Sequence, residues 1–389
     1  MIFASIRCVL AVVFLGVALL AVFRAPNISL FYVAVGATEY GHWFALVSLL
    51  IATSGGWRGG AHGIAAIAAL LAAALFASPV IRAAQCARDL PQRFAQGFSP
   101  GHPVDSTPVL DWKRLWLGSR IPPVNEQRLT FAEHEGQKLT LDFYAAPASK
   151  RAPCIVVLHT GGWNNGTAAE FQPFNRDLAH RGFAVAAIEY RLAPRWPWPA
   201  QREDTLDAIL YLQQHAEELG IDPEQFILMG RSAGGQIAEA VAYERPDPAI
   251  RACIAFYSPA DMLFAFQYAD EHDILNSYKL LTQYLGGTPE QQRRNYESAS
   301  GILHVSPHTV PTLLIHGRRD ELVWFKQSER LAAKLAENGT PYVLIGLPWA
   351  THAFDYNIDG PSGQISTWTV EHFLQSVLAP HSERFAEAH

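Results

Sequence analysis

The stretch that decides the fold is QFILMGRSAGGQIA, residues 225–238. Residues 226–229 form a short apolar run typical of a buried strand, and the residues from Gln236 onward have the pattern of a helix. Between them, GRSAG fits the G-x-S-x-G motif, whose flanking glycines suit a tight and strained turn. The motif alone occurs by chance in many proteins. Placed between a strand and a helix, it predicts a nucleophile elbow with Ser232 as the nucleophile.

Strand and helix patterns alternate on both sides of the elbow. An antiparallel hairpin is predicted from QRLTFAE and KLTLDFYAA, with its turn at residues 134–136. Further strands are predicted at CIVVLH, GFAVAAIEY, CIAFY, TLLIHG and YVLIGL, and helices at residues 168–181, 202–219, 324–338 and 363–378. Such alternation predicts an α/β fold with a mostly parallel sheet and helices on both faces. Residues 261–308 interrupt the alternation and predict a helical insertion above the sheet.

The first 83 residues are far more apolar than the rest of the chain. Three apolar segments, residues 8–23, 28–53 and 63–81, are each close to the length of about 20 residues that crosses a bilayer. They predict about three transmembrane helices and an integral, multi-pass membrane protein. Glu39 and His42 interrupt the second segment, and because a buried charge in lipid is costly we expect them near an interface.

The predicted organisation is a transmembrane region at residues 1–83, a connector at 84–124 that contains several prolines, and a catalytic domain at 125–385. Arginines are more numerous on the catalytic-domain side of three spans (Arg24, Arg82, Arg88 and Arg93). The positive-inside rule therefore weakly favours a cytoplasmic catalytic domain.

Bulk composition excludes some classes of function. The net charge of −6, with 17% charged residues, offers no basic surface for nucleic acid. The four cysteines, Cys8, Cys86, Cys154 and Cys253, have no spacing typical of a metal site or of a disulfide framework. We therefore expect no metal and no cofactor.

A serine nucleophile needs a base, and the chain order after an elbow is acid and then histidine. Asp320 follows the strand pattern TLLIHG, and His352 lies in the loop after the next strand pattern. Both positions fall where loops gather at the carboxyl ends of parallel strands. This predicts Ser232 as nucleophile, His352 as general base and then acid, and Asp320 as the group that orients the imidazole.

The tetrahedral intermediate needs backbone N–H donors. One is expected from Ala233, directly after the nucleophile, and others from the segment HTGGW at residues 159–163, directly after a strand. Within that segment His159 is expected to hold the loop rather than to transfer protons.

The chain from about residue 130 to 378 resembles the α/β-hydrolase superfamily, particularly the hormone-sensitive-lipase-like and bacterial feruloyl-esterase-like carboxylesterases. HTGGW, EYRLAP, the elbow, HGRRDELV and ATHAF match that group's motifs in order. The resemblance implies that Gly161 and Gly162 form the oxyanion hole, and that Trp163, Arg191 and Asp204 serve structure. Two residues depart from the pattern. Thr160 replaces a loop glycine, and Arg231 occupies an elbow position that is often acidic, where it would either favour anionic substrates or be a solvated arginine.

The sequence thus predicts a membrane-anchored carboxylic-ester hydrolase that works through an acyl-serine intermediate. Its expected partners are membrane lipids and an ester substrate, and the apolar N-terminal region suggests that this ester is lipidic or delivered from the membrane. Three alternatives stay open: an amidase or peptidase of the same fold, an acyltransferase, and a non-catalytic lipid-binding or scaffold protein. Ala233 beside the nucleophile, where peptidases of this fold commonly have a tyrosine, favours esters over amides.

Overall fold

The protein is described from a computed structural model, which covers residues 2–55, 60–97, 107–147, 151–244 and 247–378. Its centre is an eight-stranded sheet in the order β1-β2-β4-β3-β5-β6-β7-β8. The strands are β1 (Glu126–His134), β2 (Gln137–Tyr144), β3 (Ala152–Leu158), β4 (Ala184–Ile188), β5 (Ile221–Arg231), β6 (Ile250–Phe256), β7 (Thr312–Gly317) and β8 (Tyr342–Leu347). Strand β2 is antiparallel to β1 and β4, and the remaining pairs are parallel.

The central strands are apolar on both sides because both faces of the sheet are covered. In β3, Cys154 and Val156 point into one core while Ile155 and Val157 point into the other, as the alternation of side chains along a strand requires. β1, at one edge, is largely exposed. The prediction of an α/β fold with a mostly parallel sheet is confirmed.

The helices that follow β1 and β2 cover the faces of the sheet or form the insertion. They are α6 (Gln172–His180), α7 (Ala200–Gln214), α8 (Ala216–Leu219), α9 (Ala233–Glu244), α10 (Met262–Gln267), α11 (Ser277–Leu285), α12 (Arg293–Ser298), α13 (Gly301–His304), α14 (Lys326–Glu337) and α15 (Pro361–Leu378), with a 3₁₀ helix at Phe354–Tyr356. Helices α10 to α13 lie within residues 261–308, which we call the cap. Residues 379–385 of the predicted catalytic domain lie outside the described residues.

In the described part of the chain before the sheet there are five helices: α1 (Ile2–Leu19), α2 (Ile28–Glu39), α3 (Gly41–Thr53), α4 (Ala61–Gly97) and α5 (Trp112–Leu117). Helices α1, α3 and α4 pack side by side. In the first half of α1, the buried guanidinium of Arg7 donates to the carbonyl oxygens of Ile51 (2.9 Å) and Ala52 (2.7 Å), which are near the end of α3. These bonds satisfy carbonyl groups that a helix end leaves without intrahelical partners.

Within the described residues, one helical stretch, Ala61–Ala95, is both long and apolar enough to cross a membrane. Three other apolar helical stretches, Ser5–Leu19, Ile28–Glu39 and Gly41–Thr53, are shorter. The segment predicted as a second span is broken at Tyr40 into α2 and α3. The break is tightly packed, because a Cβ atom on Gly41 would lie 2.3 Å from the carbonyl oxygen of Phe76 in α4.

No break in the backbone marks the boundary predicted at residue 83, because α4 continues to Gly97. The first part of the predicted connector, residues 84–97, is therefore helical and not irregular. The second half of α4 is amphipathic, and Leu90 and Phe94 are buried in the core beneath the sheet, where Phe94 contacts Trp368 edge-on. Of the prolines that suggested a connector, Pro91 is tolerated inside this helix.

Candidate active site

Ser232 lies in the turn between the central strand β5 and helix α9. Its φ angle of +52° is unusual for a residue with a side chain. The turn is so tight that a Cβ atom on Gly230 would lie 2.1 Å from the carbonyl oxygen of Gly234, and one on Gly234 would lie 2.3 Å from that of Leu158. The two motif glycines are therefore sterically required, and the turn has the form of a nucleophile elbow.

His352 and Asp320 are joined by a hydrogen bond. The Nδ1 atom of His352 lies 2.6 Å from Oδ2 of Asp320. Asp320 follows β7 and His352 follows β8, so both come from the same edge of the sheet as Ser232. His352 and Ser232 line one cavity, while Asp320 is fully buried behind the imidazole. The fold thus brings the three predicted catalytic residues together.

Asp320 is held by more than the histidine. Its Oδ1 atom accepts hydrogen bonds from the amides of Leu322 (2.9 Å) and Val323 (2.8 Å), and Nε2 of His316 lies 3.3 Å from Oδ2. Burial acts to raise the pKa of the Asp320 carboxyl, but the charge of His352 and the hydrogen bonds from His316 and His352 outweigh it. The pKa of Asp320 therefore lies well below its usual range, and the carboxylate is ionised at neutral pH.

The loop after β3 lies beside the elbow because β3 and β5 are neighbours. Gly161 and Gly162 have φ angles of +106° and +56°, and both line the cavity with Ser232. Ala233 is the first residue of α9, a position where the N–H group has no acceptor within the helix. These three residues, predicted to supply the oxyanion hole, therefore lie around the nucleophile.

His159 supports this loop. Its ring stacks on Tyr190 with 4.0 Å between centroids, and its Nδ1 atom lies 2.7 Å from the carbonyl oxygen of Thr160. Burial lowers the pKa of His159, which favours the neutral imidazole. The Tyr190 hydroxyl donates to the carbonyls of His159 (3.1 Å) and Thr160 (3.2 Å). The His159 ring does not line the cavity. Its position is therefore consistent with a residue that supports the loop and does not transfer protons.

Two further residues fasten the loop. The indole nitrogen of Trp163 donates to Oε1 of Gln236 (2.9 Å), and the indole stacks on Tyr284 of the cap at 4.2 Å. Thr160 donates from both its amide (3.1 Å) and its hydroxyl (2.7 Å) to Oε2 of Glu170. Glycine at this position could donate only its backbone N–H to Glu170. The threonine that replaces it adds the hydroxyl bond and so holds the loop more firmly.

The cavity has a volume of about 780 Å³, within the range of small-molecule sites. Its lining comes from the oxyanion loop, the cap, the residues after Asp320 and helix α2. The apolar members from the cap include Phe264, Tyr268, Leu275, Leu280 and Leu281. Apolar groups of a bound substrate would be buried against these side chains and removed from water.

Both interpretations of Arg231, an attractor of anionic substrates and a solvated arginine, are wrong. Its side chain is buried, its Nε atom donates to Oδ2 of Asp355 over 2.6 Å, and its guanidinium lies 4.3–4.7 Å from the ring centres of three phenylalanines. Asp355 also accepts from the Tyr257 hydroxyl at 2.6 Å. The arginine packs beneath the elbow because ion pairing and aromatic stacking offset the cost of burying it.

Arg191 and Asp204 form another buried pair, with 2.8 Å between Nε and Oδ1. This contact fits the structural role implied by the family resemblance. His134, Asp204 and Asp207 place potential ligand atoms within 4.8 Å of one another, but none of the three lines the Ser232 cavity. The group is therefore not part of the candidate active site.

Sequence patterns missed several supporting residues. Gln236 follows the nucleophile by one helical turn, His316 lies inside the acid motif, and Glu170 holds Thr160. Gln236 and His316 stand in the quoted motifs, so polar residues at buried motif positions were the available signal. Nothing in the sequence indicated that α2 would line the cavity.

Comparison with known proteins agrees with this geometry. The BD-FAE family model matches residues 141–335, which is half of the chain. The chain belongs to the BD-FAE family. The match begins in β2 and ends in α14, so it includes the oxyanion loop, the elbow and Asp320 but not His352 or the N-terminal helices.

Two curated relatives with similar sequences are named as ester hydrolases. The chain is 28% identical over 268 residues to a probable carboxylic ester hydrolase, LipM, of Mycobacterium tuberculosis, covering 64% of this chain and 61% of that protein. It is 28% identical over 235 residues to the esterase LipQ of the same organism, covering 57% and 55%. The chain thus matches little more than half the length of these relatives. They support a hydrolase of the carboxylesterase kind.

Solved structures support the fold. A hyperthermophilic esterase from the archaeon Pyrobaculum calidifontis superposes with a TM-score of 0.58 at 22% identity, covering 65% of this chain and 86% of that one. The catalytic part of the chain therefore has the α/β-hydrolase fold.

Proposed function

We propose that the protein is a serine carboxylic-ester hydrolase that works through an acyl-serine intermediate. The observation that carries the proposal is the convergence of three loops. They place Ser232 in a strained elbow and in the same cavity as His352, which is hydrogen-bonded to the ionised Asp320.

In the first half of the reaction, His352 takes the proton of the Ser232 hydroxyl through Nε2 as Oγ attacks the ester carbonyl carbon. The carbonyl oxygen gains negative charge, which the amides of Ala233 and of the Gly161–Gly162 loop stabilise. The C–O bond to the alcohol then breaks as His352 returns the proton to the departing alcohol. Asp320 holds the imidazole in orientation and stabilises its charged form.

In the second half, His352 takes a proton from water, and the resulting hydroxide attacks the acyl carbon. The bond to Ser232 breaks, the serine regains the proton, and the carboxylic acid leaves. The same intermediate would serve an acyltransferase if an alcohol replaced water. Adding hexanol to the assay and measuring free acid against hexyl ester separates the two activities.

The test is hydrolysis of p-nitrophenyl butyrate by wild type and by Ser232→Ala, with Ser119→Ala, a change in an exposed loop serine, as the matched control. We expect a loss of at least 10³-fold in kcat for Ser232→Ala and none for the control. A fluorophosphonate probe should label wild type and the control but not Ser232→Ala. Hydrolysis at the background rate in all three proteins, with no labelling, would favour the non-catalytic scaffold alternative.

The catalytic domain is, in this proposal, anchored to a membrane by the N-terminal helices. Support comes from the apolar length of Ala61–Ala95 and from many exposed large apolar side chains in the N-terminal region, including Val9, Val12 and Val13 on α1, Phe23 after it, Leu50 on α3, and Ile64 and Ile67 on α4. At 1.5 Å per residue, α1 is about 27 Å long and α3 about 20 Å, against a hydrocarbon core of about 30 Å. A soluble protein rarely exposes so much apolar surface.

Carbonate extraction of membranes from cells that produce the full chain tests the anchor. We expect the protein to stay in the pellet, and recovery in the supernatant would contradict the proposal. The excess of arginines near the catalytic domain supports a cytoplasmic location for that domain. Protease accessibility in sealed vesicles of known orientation tests this location.

A further inference from the structure

The wall of the catalytic cavity includes a helix that lies outside the α/β-hydrolase domain. Ile28, Phe31 and Tyr32 of α2 line the same cavity as Ser232 and His352. They lie 200 residues before the nucleophile and outside the part of the chain that matches the BD-FAE family model. The cavity is thus bounded partly by the cap and partly by the N-terminal region.

The segment that leads into α2 is fixed against the acid loop by polar bonds. Arg319, the residue before the catalytic acid, donates to the carbonyl oxygens of Leu20 (3.0 Å), Ala21 (2.7 Å) and Phe23, which follow the end of α1. On the other side of Asp320, Oε1 of Glu321 accepts from the amide of Ala25 at 3.3 Å. Both neighbours of Asp320 therefore bind the segment that joins α1 to α2.

Apolar packing adds to these bonds. Leu20, Ala25, Phe31 and Ala34 form a small buried cluster, against which Leu322 and Ala353 pack. Leu322 lies two residues after Asp320, and Ala353 directly follows His352. Because this cluster joins α2 to the loops that carry the acid and the histidine, the helix has a defined place beside the reacting groups.

Tyr32 and Ile28 are both exposed to the outside, with 69% and 38% of their surface accessible, while they also line the cavity. They are therefore at its mouth. The exposed Phe23 and the apolar outer surface of α1 belong to the same N-terminal region. Apolar surface thus extends from the proposed membrane anchor to the entrance of the cavity.

We propose that α2 is part of the substrate-binding site and that it contacts the long hydrocarbon chain of an ester drawn from the membrane. This inference rests on the proposed ester hydrolysis and names its substrate class. Each methylene group removed from water favours binding about fourfold, so contact with a long chain would select strongly for it. Esters with short chains would occupy the cavity near Ser232 without reaching the mouth.

The double variant Ile28→Ala/Tyr32→Ala tests the inference in the detergent-solubilised full chain. Its matched control is Leu30→Ala/Val33→Ala, which removes two other exposed apolar side chains from the same helix but not from the cavity lining. We measure kcat/KM for p-nitrophenyl dodecanoate and butyrate, and compare their ratio. The ratio should fall at least tenfold in the first variant and change less than twofold in the control. Equal ratios in the two variants would overturn the role of α2.

A second measurement does not depend on turnover. A fluorophosphonate with a dodecyl chain that ends in a diazirine should attach to Ser232 and, after irradiation, crosslink to residues 28–39. Crosslinks confined to the cap would overturn this inference and leave the proposed hydrolase activity intact. Failure of the probe to label Ser232 would instead refute the proposed activity, and the substrate class with it.

Discussion

Arg231 and Asp355 form a buried ion pair in which Nε donates to Oδ2 over 2.6 Å. Arg231 directly precedes the nucleophile, and Asp355 lies three residues after the catalytic histidine. The pair therefore joins the elbow to the histidine loop from beneath. Two further contacts, the phenylalanine rings around the guanidinium and the Tyr257 hydroxyl on the carboxylate, hold it in place.

Asp355→Ala should destabilise the protein strongly. The change leaves Arg231 buried without its partner, a loss that typically costs about 3–5 kcal/mol. Thermal unfolding followed by circular dichroism measures the effect. Asp142→Ala is the control, because Asp142 pairs with the exposed Arg128 and such pairs contribute about 0–1 kcal/mol. Similar decreases in unfolding temperature in the two variants would contradict a larger contribution of the buried pair to stability.

Asp320→Asn should lower kcat by about 10²–10⁴-fold, since an amide cannot stabilise the charged imidazole and can select the wrong tautomer. Because the pKa of Asp320 lies well below its usual range, the carboxylate is ionised throughout pH 5–9. The loss should therefore appear across that whole interval. A loss that disappears at the acidic end of the interval would contradict this, because it would show that the wild-type carboxyl is already protonated there.

Gly161→Ala and Gly162→Ala should differ in severity. A Cβ atom on Gly161 would lie 2.0 Å from the carbonyl oxygen of Asn165, at a φ angle of +106°, so the loop backbone would have to move. A Cβ atom on Gly162 would meet the flexible side chain of Leu280 at 3.2 Å. We expect kcat to fall by about 10²-fold or more in Gly161→Ala, and by less in Gly162→Ala. The reverse order would argue against the oxyanion loop described here.

Glu239 should make stability depend on pH. It is fully buried in α9, where the Ser258 hydroxyl donates to it, and burial raises its pKa to about 8. The folded protein therefore keeps a proton that the unfolded chain releases near pH 4.5. Stability from this group is complete below about pH 4.5 and declines as the pH rises toward 8, by about 1.4 kcal/mol per pH unit at most.

In Glu239→Gln the side chain stays neutral, so unfolding temperatures measured from pH 5 to pH 8 should decline less than in wild type. An identical decline in both proteins would assign the effect to other groups.

Arg319→Ala should loosen the join between the N-terminal helices and the acid loop. Burial lowers the pKa of Arg319 to about 10, so its guanidinium is still charged at neutral pH and binds the carbonyls after α1. We expect faster proteolysis within residues 20–27 and a kcat lower by about tenfold, as a displaced catalytic group would produce. The exposed Arg293→Ala in the cap is the control. Unchanged proteolysis in Arg319→Ala would show that apolar packing alone holds the join.

Local sequence patterns were enough to predict the nucleophile elbow and the positions of the proposed acid and base. An apolar run, a serine between glycines and a helix pattern were enough to predict the elbow, because the tight turn restricts which residues can flank the nucleophile. Chain order and strand-end positions then pointed to Asp320 and His352, since parallel strands bring their carboxyl ends to one edge of a sheet.

Other features depended on contacts between distant segments. The burial of Arg231 could not be predicted, because its carboxylate partner is 124 residues away and its aromatic neighbours come from separate elements. The helical continuation of α4 beyond residue 83 was not predicted, because it packs on α15, which lies far along the chain.

The composition of α2 indicated only an apolar helix. Its place at the mouth of the cavity is decided by Arg319, Glu321 and the small cluster around Phe31, and these contacts exist only once the two ends of the chain are folded together. Sequence alone therefore determined which residues carry the chemistry. Tertiary structure decided what surrounds the substrate, because a cavity is formed by surfaces from distant parts of the chain that no local pattern records.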